Sequence, residues 1–144
     1  MGLGRWMAAI CALAAGPALA EPDLARGADL YAENCASCHG ADLEGQPDWR
    51  APLPDGTMPA PPHDATGHTW HHGDALLFEY TRLGGEALLA ARGIEGFQSG
   101  MPGFGEVLTE AEIRDVLAFI RSTWPEDIQA VQAERSAMER ATGN

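Results

Sequence analysis

Two cysteines and a histidine have the residue types and the spacing that could do chemistry. Cys35 and Cys38 are separated by two residues, and His39 follows at once. In a Cys-x-x-Cys-His sequence both thiols add to the vinyl groups of a haem, and the imidazole binds its iron. A redox-active dithiol is the alternative, but it needs a strand–helix–strand unit, and no strand is predicted before Cys35. The motif therefore predicts covalent attachment of one c-type haem.

A haem iron bound by one histidine needs a second axial ligand if it is to be closed to other molecules, and methionine is the first candidate. Met101 lies between a glycine and a proline in an irregular segment, where the main chain can approach a flat cofactor closely. Its thioether would stabilise ferrous iron and raise the reduction potential. Met58 is the second candidate, although we expect its loop to flank the proximal side, where His39 binds. The alternative role for both methionines is to fill the core.

Four more histidines form a cluster with three interpretations; they are His63, His68, His71 and His72. Because imidazole binds copper and zinc, one interpretation is a second metal site, and another is a second imidazole on the haem iron in place of Met101. Adjacent side chains generally point apart, and the spacing matches no compact metal motif. We favour the third interpretation, a loop that packs Trp70 against haem or core, with its imidazoles hydrogen-bonded to the main chain.

Three helices are predicted to position these residues. Asp23 caps the first, whose apolar residues recur at helical spacing up to Asn34. Asp74 caps the second, which ends at the Gly84-Gly85 pair. The third begins at the capping box Thr109-Glu110-Ala111-Glu112. Because no strand has a clear pattern, the predicted fold class is all-α.

The segment between the first two helices has little periodicity and many prolines. Residues 40–72 contain six of the ten prolines, which predicts an extended loop that wraps a partner. Few continuous apolar elements remain elsewhere in the chain. A bound cofactor must therefore supply much of the core, and we expect the haem-free protein to be largely unfolded.

The first 20 residues have the pattern of a cleaved signal peptide. Arg5 precedes a short apolar run, and Ala18-Leu19-Ala20 ends in the small residues preferred at a cleavage site. This pattern predicts secretion to the periplasm; a retained N-terminal anchor and lipid attachment at Cys11 are the alternatives. Cleavage would remove Cys11 and leave only the two cysteines of the haem motif, so no disulfide is expected.

The charge of the chain limits its partners. The formal net charge is -12, all nine basic residues are Arg, and no basic block is present. Nucleic acid and an anionic membrane surface are therefore excluded as expected partners. No acid–base pair or nucleophile arrangement is visible, so neither an enzyme nor a small-molecule substrate is predicted. An acidic redox protein is expected to meet a partner whose docking face is basic or neutral.

Three landmarks in this order resemble those of class I-type, single-haem bacterial cytochromes c. They are Leu30-Tyr31 with the haem motif, the segment Ser99–Phe104, and the helix that begins at Thr109, over roughly residues 24–124. The resemblance implies a cytochrome c-like fold of about three to five short helices and long loops wrapped around one covalent haem. It also implies that the first and last helices cross near Gly27 and Tyr31, against Leu117 or Phe119.

The resemblance further implies the surroundings of the iron. His39 and Met101 would be its axial ligands, and a proline carbonyl after the motif would accept the second ring N–H of His39. Pro52 is the best-placed proline, with Pro54 and Pro47 as alternatives. Arg50 would either approach a haem propionate or remain a solvated loop residue, and we favour the solvated position.

The predicted organisation has three parts: a signal peptide over 1–20, a cytochrome c domain over 21–124, and an extension over 125–144. A further helix is predicted from Pro125, with Ile128, Val131, Arg135 and Met138 on one side. This extension is interpreted either as a solvated tail or as a docking or dimer helix.

The predicted function is a diffusible periplasmic electron-transfer protein that carries one electron on its haem. One alternative is a dedicated haem subunit of a larger periplasmic or membrane oxidoreductase. A less favoured alternative is a haem protein that binds a ligand or metal through the His63–His72 segment.

Loss of the haem attachment should unfold the chain. In Cys38→Ala or His39→Ala we expect haem absorbance and far-ultraviolet helical circular dichroism to disappear together, because the macrocycle completes the core. A haem-free protein that is helical and melts cooperatively would contradict this expectation.

Overall fold

The computed structural model describes residues 21–143, so the signal peptide predicted over 1–20 lies outside the described residues. Within 21–143 the structure is helical, and a single parallel bridge between Met58 and Ser99 is the nearest approach to a strand. No helix in this part of the chain is long and apolar enough to cross a membrane. The all-α prediction is confirmed. The helices are α1 (Leu24–Asn34), α2 (Ala36–His39), a 3-10 helix (Thr69–His71), α3 (Asp74–Leu83), α4 (Gly85–Ala91), α5 (Glu110–Ser122) and α6 (Glu126–Thr142).

Two helix starts follow the predicted caps. Asp23 accepts from the first free N–H groups of α1. At α5, the Thr109 hydroxyl accepts from the N–H of Glu112, and the Glu112 carboxylate accepts from the N–H of Thr109 at 2.8 Å. These caps satisfy main-chain donors that have no partner inside the helix. Their sequence signals are local, which is why they were predictable.

The boundaries around α3 differ from the prediction. Asp74 is the first helical residue and not the cap; Gly73 takes the cap position, with no side chain to offer. The glycine pair ends α3 at Gly84 (φ 82), but α4 begins at once with Gly85. α4 was not predicted, because two adjacent glycines are more typical of a helix end than of a junction between two helices.

α1 and α5 pack closely because Gly27 has no side chain. A Cβ atom built on Gly27 would lie 2.2 Å from the main-chain oxygen of Asp115. Beside this contact the ring of Tyr31 packs on that of Phe119, with centroids 5.6 Å apart. The contact of Gly27 and Tyr31 with Phe119 is therefore confirmed, whereas Leu117 packs in a second cluster around Phe78, Leu108 and Ile113.

A buried carboxylate joins the same two helices. Asp115 on α5 is only 3% exposed, and it accepts from the N–H of Asp23 at 2.8 Å and from Nε of Arg26 at 2.6 Å. A negative charge at this position also complements the positive end of the α1 dipole. Hydrogen bonds to Asp115 thus join the start of α1 to the middle of α5.

α6 packs through its polar side. Gln132 and Ser136 are 1% and 2% exposed, whereas Val131 and Met138 are 37% and 52% exposed. Of the four residues predicted to share one side, Val131, Arg135 and Met138 are exposed and Ile128 is half-buried. α6 packs against main-chain N–H and C=O groups of the 3-10 helix region and of α3. Because buried main-chain groups need hydrogen-bond partners, polar side chains of α6 face them.

Gly27→Ala should destabilise the folded protein. Its methyl group would collide with main chain, which cannot move aside as a flexible side chain does, so we expect a loss of about 1–3 kcal/mol in the free energy of unfolding. Urea unfolding of the haem-loaded protein measures this loss. Ala32→Ser is the control, because it also adds one heavy atom to α1 but at an exposed position. Equal stabilities of the two variants would contradict the close helix contact.

Candidate functional site

His39 stands at the end of α2, which the haem motif itself forms. Cys35 joins α1 to α2, and its carbonyl accepts from the N–H of His39 at 2.9 Å. The imidazole is 7% exposed, and its Nδ1 lies 2.8 Å from the main-chain oxygen of Pro61. Because a carbonyl only accepts, Nδ1 carries the proton, and Nε2 of the neutral ring keeps a free lone pair. An imidazole held in this way is prepared to bind a metal through Nε2.

Burial keeps His39 in the neutral form that a metal needs. It lowers the pKa of His39 below the usual range, and the hydrogen bond to Pro61 offsets part of this shift. The thiols of Cys35 and Cys38 are both free. Burial, together with the neighbouring Cys38, raises the pKa of Cys35 to about 11. A redox dithiol requires the opposite shift, so the site does not favour dithiol exchange.

The proline that accepts from His39 is Pro61, and the predictions for this position are wrong. The loop 51–57 forms its own turn, in which the N–H of Leu53 donates to the oxygen of Thr57 at 2.8 Å. Its prolines therefore remain exposed. The chain returns to the imidazole later, where the carbonyl of buried Leu43 accepts from the N–H of His63 at 2.8 Å. The three prolines that were expected in this role are Pro52, Pro54 and Pro47.

His63 lies face to face with His39. Their ring centroids are 4.0 Å apart and their planes differ by 20°. His63 is held on both sides, by Thr69 Oγ1 at 2.8 Å from its Nδ1 and by Trp124 Nε1, which donates to its carbonyl at 2.7 Å. Two axial ligands would have the metal between them, whereas the His39 and His63 rings stack directly on each other at 4.0 Å. His63 is therefore not the second axial ligand, and it forms a wall against His39.

The His63 ring is also uncharged. Burial, followed by the charges of His39 and His68, lowers its pKa to about 3. Its partner is the Thr69 hydroxyl and not the main chain that was expected. A neutral ring beside His39 keeps the surroundings of Nε2 free of positive charge.

The other histidines are distributed among aromatic stacks. His68 stacks on Trp49 at 5.2 Å and meets His72 edge-on at 5.5 Å, and His71 packs on Trp70 at 3.7 Å. Among residues 21–143, no three His, Cys, Asp or Glu side chains are placed to hold a metal ion, so this part of the chain gives no support to a second metal site. The packing of Trp70 against the core is confirmed.

Buried polar atoms near these stacks fit an acidic cofactor. His68 Nδ1 and Trp70 Nε1 are buried and have no hydrogen-bond partner among the described residues. Leaving a buried polar group unpaired costs about 1–3 kcal/mol, which a polar ligand would recover. Arg50 lies over the ring of Trp49 at 4.0 Å and adds a cation to the same stack. Two thiols, a neutral imidazole and unpaired polar atoms together suit a haem with its propionates.

The two candidate methionines lie in segments that contact each other. The N–H of Met101 is 3.2 Å from Ser99 Oγ, and its carbonyl accepts from Gly85 at 3.3 Å. Met58 pairs with Ser99 in the isolated bridge, and both methionines are half-buried. The Met58 segment therefore lies beside the Met101 segment, and the side of the haem that Met58 flanks stays a prediction. Axial ligation by Met101 stays a prediction.

Comparison with known proteins identifies a family for most of the chain. A family model described as Cytochrome c matches residues 24–124, from the first residue of α1 to Trp124. The match includes the haem motif, the Pro61 loop and α5, and it leaves α6 outside. No curated protein and no solved structure matches the chain at a significant level.

Thr69→Val should weaken the wall against His39. The substitution keeps the side-chain shape but removes the hydroxyl partner of buried His63 Nδ1, so we expect a loss of about 1–3 kcal/mol in the free energy of unfolding. Thr66→Val is the control, because Thr66 is exposed and its hydroxyl bonds only to nearby Asp64. Chemical unfolding followed by circular dichroism measures both losses. A larger loss in the control would refute the role of Thr69.

Proposed function

Because the chain belongs to the cytochrome c family, which binds covalent c-type haem and transfers electrons, we propose that it is a periplasmic carrier of single electrons. The observation that carries the proposal is the state of His39, whose Nδ1 proton is held by Pro61 and whose Nε2 is left for iron. Two free thiols lie next to it in sequence. The haem supplies the redox chemistry, since its iron exchanges one electron between ferric and ferrous states.

The protein groups have distinct roles in this proposal. Cys35 and Cys38 hold the haem covalently, and His39 is the proximal ligand of its iron. Pro61 and His63 keep the imidazole in one orientation, so little rearrangement accompanies the gain or loss of an electron. Low polarity around a buried imidazole favours the less charged ferrous state, which raises the reduction potential.

Met101 is the proposed second axial ligand, in a class I-type His/Met arrangement. Its neighbour Gly100 has open space around it, and the Met101 main chain is anchored at both its N–H and its carbonyl. A short anchored segment can hold a thioether in place without a helix. Met58 remains the second candidate, because its segment lies beside the same loop.

The proposed partner is a redox protein with a basic or neutral docking face. Cys38 is exposed, so an electron can enter or leave near the attachment edge. Asp42 and Glu44 follow directly and are exposed, and the Glu44 carboxylate accepts from the N–H of Asp42 at 2.9 Å. Acidic groups at this edge favour a basic partner and disfavour nucleic acid. The periplasmic location rests on the sequence pattern of residues 1–20.

A second candidate function is a dedicated haem subunit of a larger periplasmic or membrane oxidoreductase. The observation that favours it is the outer side of α6, where Val131 and Met138 are exposed outside the family match. Co-purification with one larger partner would support the subunit, whereas rapid exchange with several partners would support the carrier.

Met101→Ala should abolish the weak red absorption band that ferric iron shows when a thioether sulfur is bound, and it should lower the reduction potential. Met58→Ala is the matched variant and should keep the band. Absorption spectra of the ferric proteins and redox titrations measure both effects. If the band survives in Met101→Ala and is lost in Met58→Ala, Met58 is the axial ligand and Met101 is not. Absence of the band in the wild-type protein would refute a methionine ligand.

A further inference from the structure

α3 has no cap of its own, and α6 supplies one. Gly73 stands at the cap position without a side chain. The hydroxyl of Ser136 accepts from the N–H of Asp74 at 3.0 Å. The two carboxylate oxygens of Glu139 accept from the next two N–H groups, those of Ala75 at 2.8 Å and Leu76 at 2.9 Å. Three main-chain donors at the start of α3 are therefore satisfied from a different helix.

The start of α3 packs closely against α6, both at Gly73 and at Gln132. A Cβ atom on Gly73 would lie 2.3 Å from a carboxylate oxygen of Glu139, so any side chain at this position would displace that carboxylate. Gln132 fixes α6 one turn earlier by donating to the carbonyl of His72 at 3.3 Å and to Asp74 Oδ1 at 2.8 Å. The Glu139 carboxylate also lies at the positive end of the α3 dipole.

The other end of α3 carries the segment that contains Met101. The N–H groups of Phe104 and Gly105 donate to the carbonyls of Thr81 and Arg82, at 2.9 Å and 3.0 Å. A Cβ atom on Gly84 would lie 3.0 Å from the carbonyl oxygen of Met101. The last turn of α3 is therefore the support on which the Met101 segment rests.

We propose that Glu139 is a positioning residue for Met101 and acts through α3. The proposal rests on the proposed function, in which Met101 binds the haem iron. α3 has ten residues and is about 15 Å long, so one helix joins the α6 cap directly to the Met101 segment. Helices this short are marginal without caps and tertiary contacts, so loss of the cap loosens the whole element. α6 lies outside the residues that the family model matches, so this support comes from beyond the matched domain.

The test measures how easily imidazole displaces Met101 in the full-length, haem-loaded ferric protein. An incoming ligand binds only when Met101 has left the iron, so its apparent dissociation constant reports the population of that state. Loss of a helix cap shifts the folding equilibrium of a helix by about tenfold. A Met101 segment that rests on α3 experiences the same shift. In Glu139→Gln we therefore expect imidazole to bind about tenfold more tightly than in wild type. Glu134→Gln removes the same charge from an exposed position on the same helix and should bind imidazole as wild type does.

Gly73→Ala provides a second route to the same contact. Its methyl group displaces the Glu139 carboxylate, so it should tighten imidazole binding to a similar extent. The double variant should show the effect of one substitution only, because both remove a single contact. Additive effects would overturn the proposal.

The outcomes separate this proposal from the proposed function. If wild type shows the red band, and Glu139→Gln and Gly73→Ala melt at lower temperature with unchanged imidazole affinity, the cap is structural only and the positioning role is wrong. If wild type lacks the red band, Met101 does not bind the iron. In that case both the proposed His39/Met101 ligation and this inference are wrong. Tighter binding in both variants, with the control unchanged, supports the positioning role.

Discussion

The site depends above all on the hydrogen bond between His39 Nδ1 and the carbonyl of Pro61. It selects the tautomer with a free Nε2, and it requires the loop to return to α2 from a distance of more than twenty residues. Contacts within residues 40–72 bring Pro61 back to His39. Leu43 adopts a left-handed conformation (φ 66) and binds the main chain at His63, and the Tyr31 hydroxyl donates to the carbonyl of Gly40 at 2.9 Å. The long loop is therefore a folded part of the site.

The helical frame and this loop share one core. Tyr31, Leu43 and Trp124 belong to the cluster that also contains Val116 and Ile120 of α5. The indole of Trp124 donates to the carbonyl of His63, so the end of the last family helix holds the wall against His39. A change in helix packing is transmitted to the orientation of the imidazole through these contacts, without any residue at the iron being altered.

Features with a local signal in sequence were predictable. The haem motif, the Asp23 cap and the Thr109 capping box each lie within a few residues, and short-range geometry determines them. Features made by distant residues were not: the choice of Pro61, the cap of α3 by Glu139, and the bridge that places Met58 beside Ser99. Each depends on how a breaker-rich loop or an added helix returns to the core, and no periodicity encodes that path.

The polar inner side of α6 affects how the molecule responds to heat. A helix held by hydrogen bonds to main chain, through Gln132, Ser136 and Glu139, buries little apolar area. Its release therefore adds little to the heat capacity of unfolding, which is dominated by apolar exposure. We expect α6 to open at lower free energy than the core formed by α1 and α5, and to release the start of α3 when it does. Amide protons in α6 would thus exchange with solvent while those around Tyr31 stay protected.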